Sequence, residues 1–362
     1  MAEGPLRVVV EAAALGISSG GLPRYTGELS CALARCFPQD QFFLASDQPF
    51  SLPPNSPGNL RRGGGPCGAS ERRWWLWGLS REAMRLKADI IHGPDFAVPY
   101  LPLKPSVLTL HDLSPWMDQR WHYAAARVKR RTPVLLALRI PTLIVTVSEG
   151  VRKQAIERFH LSPDRIVSVP LAAPGWLRPV QSRPERPYFL HVGTLEPRKN
   201  LIELVRAWQQ ITRDGLQSGD APSIDLILAG RRRKDAPEFS AAPGLRLLGE
   251  VPDSQLAELY SGALACVYPS LYEGFGLPVL EAMQCGACVI ASSAVREAGG
   301  HAAVYADNTA ELACAMRRAA SEPDWLAARR ELSLARAREF SWEQTARATY
   351  EVYQEARKRF GR

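Results

Sequence analysis

The sequence predicts an α/β protein of two doubly wound domains, and three observations carry that prediction. Short apolar runs rich in β-branched residues alternate with stretches of helical periodicity. The alternation stops at a proline-rich stretch and restarts after it. The strand candidates are almost continuously apolar, as strands covered by helices on both faces of a parallel sheet must be. In the first half the strand candidates are LRVVVE, QFFLAS, ADIIHG, SVLTLHD, TLIVTVS and RIVSVP, with helices expected around 22–36, 72–86, 120–138 and 149–159 and a Gly/Pro/Ser-rich loop near 49–70. After Pro170, LAAPGWLRPVQSRPERP has no period and reads as a linker. The second half offers YFLHVG, IDLILAG, LRLLGE, LACVYPS, CVIASS and AAVYAD, with helices near 198–212, 253–262, 277–284, 309–320 and 324–338. The expected boundaries are 1–172 for the first domain, 173–186 for the linker, 187–340 for the second domain and 341–362 for a C-terminal helix packing back on the first.

Composition narrows the function. The chain has 362 residues, 46% hydrophobic and 23% charged, enough for two cores and too apolar for disorder. Lys+Arg 45 against Asp+Glu 37 gives a net charge of +8, which points to an anionic partner: nucleic acid, a phosphorylated small molecule or a membrane surface. No nucleic-acid recognition motif accompanies the basic residues, so no nucleic-acid partner is expected. Seven scattered cysteines form no disulfide framework, and Cys285 and Cys288, in C-G-A-C without a second such pair or spaced histidines, read as small buried residues. The start, MAEGPLRVVVEAAALG, lacks a basic segment before an apolar run. The most apolar stretch, PVLLALRIPTLIVTV, is broken by Arg139 and Pro141, short of the roughly 18 clean residues of a spanning helix. A soluble, cytoplasmic protein without a metal site is expected. ERRWWLW at 71–77 and RWHYAAARVKRR at 120–131 mix basic residues with Trp and Tyr. Two readings stay open for them: a surface meeting anionic headgroups, peripheral on the inner face of the membrane, or core tryptophans under a solvated charged face.

Ligands of open parallel sheets bind beyond the carboxyl ends of the strands, so the strand-to-helix turns carry the information. The first turn, LGISSGGLPRY, contains Gly20 and Gly21 but no G-x-G-x-x-G. In HVGTLEPRKNL, Gly193 lets the backbone bend and Pro197 is expected to open a helix with Arg198 and Lys199 at its N-terminus, a diphosphate site built without a metal. The alternative is two cations on a solvated helix face. LACVYPS, LYEGFG and LPVLEAMQ read as strand, turn and helix, with Pro278 in the first helical turn and the amides of Gly274, Phe275, Gly276 and Leu277 placed to donate. Glu273 falls at the ligand-facing end and Glu281 further along the helix, on a face able to look back. Carboxylates there suit sugar or ribose hydroxyls and would repel a diphosphate. In LTLHDLS, either His111 touches sugar or acceptor while Asp112 buttresses the loop, or the two form a structural hydrogen-bonded pair. His92 and His191 read as structural histidines.

HVGTLEPRKNL together with PSLYEGFGLPVLEAMQCGACVIAS resembles the retaining glycosyltransferases of family 4, whose GT-B fold sets two Rossmann-like domains facing across a cleft. GGLPRYTGEL, ADIIHGPDFAVP, SVLTLHDLSPW, TVSEGVRKQAI and LLGEVPDSQLAELYSGA extend the resemblance over most of the chain. It implies an N-terminal acceptor domain and a C-terminal nucleotide-sugar domain. It further implies Arg198 and Lys199 on the donor diphosphate, Glu281 on the ribose hydroxyls, Glu273 on the transferred sugar, and backbone contacts from Gly274, Phe275, Gly276 and Leu277. Val251 would lie near the base, with Gly20, Gly21 and Gly193 also at the donor. HGPDF and HDLSPW resemble members that use GDP-mannose. The implied activity is therefore hexosyl transfer, mannose favoured, from a nucleotide-diphosphate sugar to a glycan, lipid-linked or small-molecule acceptor, without a cofactor. LAAPGW stands where the family commonly has an Asn-Gly turn, and Gly300 and His301 where a Gly-Asp pair is frequent; Glu297 is in place. Between Ala12 and Tyr25 there is no His, Asp or Glu to act as an inverting base, so retention is expected. Two other classes compete. A nucleotide-sugar epimerase on the same fold would want additional acid/base carboxylates, and a non-catalytic sugar-binding protein would lack a charged donor residue.

Overall fold

The computed structural model describes residues 4–17, 20–118, 120–121, 125–218 and 224–361, without the side chains of 214–218. The chain divides into two compact units, residues 1–171 with 341–362, and residues 172–340.

The first unit is built on seven strands, β1 (Arg7–Glu11), β2 (Gln41–Ala45), β3 (Leu60–Arg62), β4 (Ile90–Gly93), β5 (Ser106–Leu110), β6 (Leu143–Thr146) and β7 (Ile166–Ser168). They pair in parallel in the order β3-β2-β1-β4-β5-β6-β7. β4, β5 and β6 are buried at every position, which is why their sequences run apolar without alternation. β3 lies in the stretch expected to be a loop. Only Leu60 of it is buried. Its entry is fixed by the Asn59 amide, which donates to the carbonyls of Ala34, Phe37 and Asp40 at 3.0, 3.1 and 3.1 Å.

Two helical expectations shift. The helix expected at 120–138 runs Ala126–Ala137, with residues 119 and 122–124 outside the described set. The segment at 72–86 is a π-helical turn, Trp74–Gly78, running into an α-helix at Leu79–Arg85. The crowding at Gly78 is one local reason: a Cβ there would stand 2.4 Å from the Glu71 carbonyl oxygen. Glu71 is buried and its carboxylate takes Arg85 at 3.0 Å. The aromatic segment divides between the two readings, Trp74 joining the core and Trp77 standing 39% exposed beneath Arg81. The helix Trp342–Arg359 belongs to this unit and packs on the helix Gly21–Cys36. Phe37 stacks on Tyr350 at 3.6 Å between ring centroids. A buried chain of polar contacts also runs Tyr25 hydroxyl to Thr109 Oγ1 to His92 Nε2, and His92 Nδ1 to the Tyr353 hydroxyl, at 3.0, 2.8 and 2.7 Å. Both His92 nitrogens are thus partnered, as a structural histidine requires.

The second unit carries β8 (Tyr188–Val192), β9 (Asp225–Ala229), β10 (Leu245–Gly249), β11 (Ala265–Tyr268), β12 (Cys288–Ala291) and β13 (Val304–Tyr305) in the parallel order β10-β9-β8-β11-β12-β13. Phe189, Leu204, Trp208, Leu226, Val267, Ile290 and Met316 fill one core layer, each large side chain contributing about 1.5–3 kcal/mol by leaving water. Cys285 and Cys288 are buried and unbridged, and burial pushes both thiols up to about 12. In each sheet the strand order reverses beside the first strand, between β1 and β4 and between β8 and β11. The turns leaving those strands are where a doubly wound sheet opens a ligand crevice. Among the described residues no helix is long and apolar enough to cross a membrane.

Candidate functional site

The reversal between β8 and β11 brings the two turns singled out in the sequence together. The β9 turn needs glycine where it meets the β8 turn: a Cβ on Gly230 would come within 2.0 Å of the Gly193 carbonyl oxygen. Beyond it, Pro197–Lys199 forms a single 3-10 turn, Asn200 adopts a left-handed conformation at φ 55°, and the helix begins only at Leu201. Arg198 and Lys199 therefore do not open the long helix, as the proline had suggested. They occupy a separate turn tied to the β11 turn by the bond from the Leu271 amide to the Arg198 carbonyl, 2.9 Å.

That correction also removes the solvated-face reading, because both cations are more than nine-tenths buried. Lys199 Nζ meets Glu273 Oε1 at 2.6 Å and Arg198 Nη1 meets Glu273 Oε2 at 3.0 Å. Arg198 also reaches Glu196 Oε1 at 2.7 Å through Nη2 and the Tyr272 carbonyl at 2.7 Å through Nη1. Glu196 in turn takes Arg233 at 2.5 Å, and Arg233 is shared with Asp235. Ser270 donates to Glu273 Oε1 at 2.7 Å. Burial alone would push the Glu273 carboxyl up, but Lys199 and Arg198 outweigh it and hold it at about 2. Arg198, Lys199 and Arg233 thus face Glu196, Asp235 and Glu273 in a buried cluster whose formal charges balance.

Glu273 leads into the turn containing Gly274 and Phe275, and Gly276 caps the helix Leu277–Gln284 at φ 101°. The left-handed conformation and the 3.0 Å approach of Val295 to a Cβ both demand glycine at 276. Pro278 has no N–H and the Val279 amide donates to the Gly276 carbonyl at 2.9 Å, so the Leu277 amide is the donor that the start of this helix presents, with the positive end of the helix dipole. Glu281, one turn and more into the helix, is 5% exposed, and its Oε2 accepts from the Tyr260 hydroxyl at 3.0 Å. Val251 follows β10 in the same unit, half-buried.

His191 reads differently from a fully satisfied structural residue. Its Nδ1 donates to the Val267 carbonyl at 2.8 Å, and burial keeps the ring neutral by lowering it to about 4. Nε2 is then an acceptor, buried and without a hydrogen-bond partner among the described residues, 3.5 Å from where a Cβ on Gly193 would stand. Arg233, Ser270 and Tyr260 also escaped sequence reasoning, since nothing in their local pattern marks the long-range bonds they make.

In the first unit, Gly20 at φ 121° caps the helix that Gly21 begins. His111 and Asp112 do not pair. His111 donates through Nε2 to the Pro94 carbonyl at 2.6 Å and lies edge-on to Tyr25, and Asp112 accepts from the Ser114 amide and hydroxyl at 3.0 and 2.6 Å. Asp112 therefore buttresses its loop. Glu11, the last residue of β1, lies just before the loop that was searched for a base. It is 1% exposed, accepts from the Ala13 amide at 3.1 Å, and burial raises its carboxyl to about 7, with Asp95 and Asp47 adding to the effect. Its acid character was legible only as one polar residue at the end of an apolar run.

A family model described as glycosyl transferases group 1 matches residues 176–319, and the model for Glycosyltransferase Family 4 matches residues 19–174. The O-antigen chain mannosyltransferase B of Escherichia coli is 34% identical over 290 residues, covering 74% of this chain and 74% of that protein. The solved structure of sucrose-phosphate synthase from Thermosynechococcus elongatus superposes with a TM-score of 0.72 at 19% identity, over 97% of this chain and 98% of that one. WaaG, titled a glycosyltransferase involved in lipopolysaccharide biosynthesis, superposes with a TM-score of 0.68 at 12% identity, over 96% and 99%. The two structures speak to the fold, and the family matches to the chemistry: the chain belongs to glycosyltransferase family 4, has the GT-B fold and is a hexosyltransferase.

Proposed function

We propose that the protein is a retaining, metal-independent mannosyltransferase that moves mannose from GDP-mannose to a hydroxyl of a glycan acceptor. The observation that carries the reading is the buried pairing of Glu273 with both Arg198 and Lys199. A donor diphosphate entering this cluster exchanges one anion for another: the phosphates take the two cations and the helix amides, and Glu273, released from them, accepts from hydroxyls of the sugar. Such an exchange leaves no buried cation stranded in either state. With two cations already present to neutralise the phosphates, the leaving group needs no added divalent ion.

In the transfer step the bond from the sugar C1 to the β-phosphate oxygen breaks and a bond from the acceptor oxygen to C1 forms on the same face. The acceptor proton passes to the departing phosphate oxygen, whose charge Arg198, Lys199 and the Gly276–Leu277 helix end stabilise. Glu281, with one oxygen oriented by Tyr260, is assigned to the ribose hydroxyls. Gly193, Gly274, Phe275 and Leu277 contribute backbone around the donor, Val251 lies toward the base, and Gly20, Gly21 and His111 serve the reaction from the first unit. Mannose is favoured because the Escherichia coli relative is named a mannosyltransferase, and a glycan acceptor because that name specifies an O-antigen chain. A thermal-shift panel of nucleotide sugars tests the donor assignment. GDP-mannose should raise the melting temperature more than UDP-glucose or UDP-galactose, and a panel without response to GDP-mannose overturns it.

A further inference from the structure

We propose that His191 is a positioning residue for Lys199: when a donor diphosphate displaces Glu273, the Lys199 ammonium donates to His191 Nε2, and this neutral acceptor holds it against the phosphates. The role rests on the donor reading above and gives the lysine a second resting place.

The imidazole has one acceptor to offer. The Val267 carbonyl can only accept, so its 2.8 Å bond puts the ring proton on Nδ1 and leaves Nε2 with a lone pair. The ring is held in place, fully buried and tilted against Tyr268 with 5.3 Å between centroids. Nε2 itself has no hydrogen-bond partner among the described residues, an arrangement that costs stability wherever it is kept. The oxygens of a donor diphosphate are ionised at neutral pH and carry no hydrogen, so they cannot satisfy it. Nε2 needs a donor.

Lys199 stands next to it. Around the point a Cβ would take on Gly193, outside that glycine's chain neighbours, two atoms lie within 4 Å: His191 Nε2 at 3.5 Å and Lys199 Cε at 3.9 Å. Gly193 has φ 154°, where a side chain is strained, so the space between imidazole and lysine is kept clear of one. Lys199 is buried as well. Of its three N–H groups Glu273 takes one at 2.6 Å, and no other hydrogen bond or ion pair reaches the ammonium among the described residues. Nζ is one bond beyond Cε, so rotation of the side chain's last bonds turns it from Glu273 toward Nε2 while the backbone stays in place.

No proton changes hands in this movement. Burial, with the charge of Lys199 adding to it, keeps the imidazole neutral. Neutrality suits the step. A second carboxylate would compensate the charge that the leaving phosphate needs, whereas an uncharged acceptor orients the ammonium and leaves its charge to the departing oxygen.

The test uses the full chain and two substitutions that divide the ring between them. In His191→Asn an amide N–H replaces Nδ1 against Val267 and the far acceptor is gone. In His191→Gln an amide oxygen stands near the place of Nε2 and the Val267 bond is lost. Calorimetry with GDP should show His191→Asn weakened about tenfold and His191→Gln within about threefold of wild type, while urea unfolding ranks the two in the opposite order. In a chain already carrying Lys199→Ala, His191→Asn should weaken GDP no further. A histidine that only supports the fold, or one that holds a trapped water, predicts the same loss with and without Lys199. That result, or GDP binding weaker in His191→Gln than in His191→Asn, overturns the proposal. Nitrogen NMR of the labelled imidazole needs no donor: Glu273→Gln frees Lys199, and the Nε2 resonance should move upfield as it begins to accept. An unmoved resonance overturns the proposal, whereas failure of the unmodified chain to bind GDP with a shifted resonance overturns the donor reading alone.

Discussion

Replacing Glu273 by glutamine keeps the size of the side chain and an oxygen for Ser270, but removes the charge that Arg198 and Lys199 share. The folded carboxyl is held at about 2 against 4.5 when exposed. That difference corresponds to about 3 kcal/mol, and the cost of stranding the partners of a buried ion pair is about 3–5 kcal/mol. Because the folded value lies below the unfolded one, the stabilisation is fully present above about pH 4.5 and is lost as the pH falls toward 2. Urea unfolding at pH 7 should therefore show Glu273→Gln destabilised by about 3 kcal/mol, with the gap to wild type closing under acid. Calorimetry adds a second readout: free GDP should bind the variant at least as well as wild type, since the cations are released, while the intact donor binds more weakly. A variant within about 0.5 kcal/mol of wild type at pH 7 would refute the claim that this pair of cations is held by Glu273.

Removing Arg198 or Lys199 by alanine substitution should slow transfer about a hundredfold each, through lost stabilisation of the leaving diphosphate; steady-state rates within about twofold of wild type for both would remove them from the reaction. Glu281→Gln should weaken free GDP and the intact donor alike, and calorimetry showing an effect on the donor alone would reassign it to the sugar. Glu11 gives a pH signature of the opposite sign. Its folded carboxyl keeps its proton up to about 7, so its contribution is complete below about pH 4.5 and is lost as the pH rises through 7, a change of about 3 kcal/mol. Glu11→Gln should flatten the stability profile across that window, and an unchanged slope in urea unfolding would mean the carboxyl is solvated.

What the sequence disclosed depended on whether a feature was local. Strands buried on both faces announce themselves as apolar runs, so β1, β4, β5, β6, β8, β9 and β11 were all legible, as was the helix Leu277–Gln284 behind its glycine turn. β3 was not, because a three-residue edge strand with one buried side chain leaves no pattern. Pro197 suggested a helix start that Asn200, in a left-handed conformation, postpones to Leu201. The consequence was chemical as well as geometric: Arg198 and Lys199 were expected at a helix end and are buried in an ion cluster with Glu196, Glu273, Arg233 and Asp235, in which Glu196 and Arg233 lie 37 residues apart. Partners brought together by sheet topology, such as Tyr260 for Glu281 or Val267 for His191, carry no signal in either neighbourhood.

Slow hydrolysis of the donor, with water taking the place of the acceptor, tests the central claim without knowledge of the acceptor. GDP-α-mannose incubated with the enzyme in excess EDTA should release mannose, and proton NMR recorded before the free sugar mutarotates should show the α anomer first. Front-face departure assisted by Arg198 and Lys199 requires that outcome, because water enters on the side the phosphate leaves and no metal takes part. Release of the β anomer, or activity lost in chelator and restored by Mg²⁺ or Mn²⁺, would contradict the account.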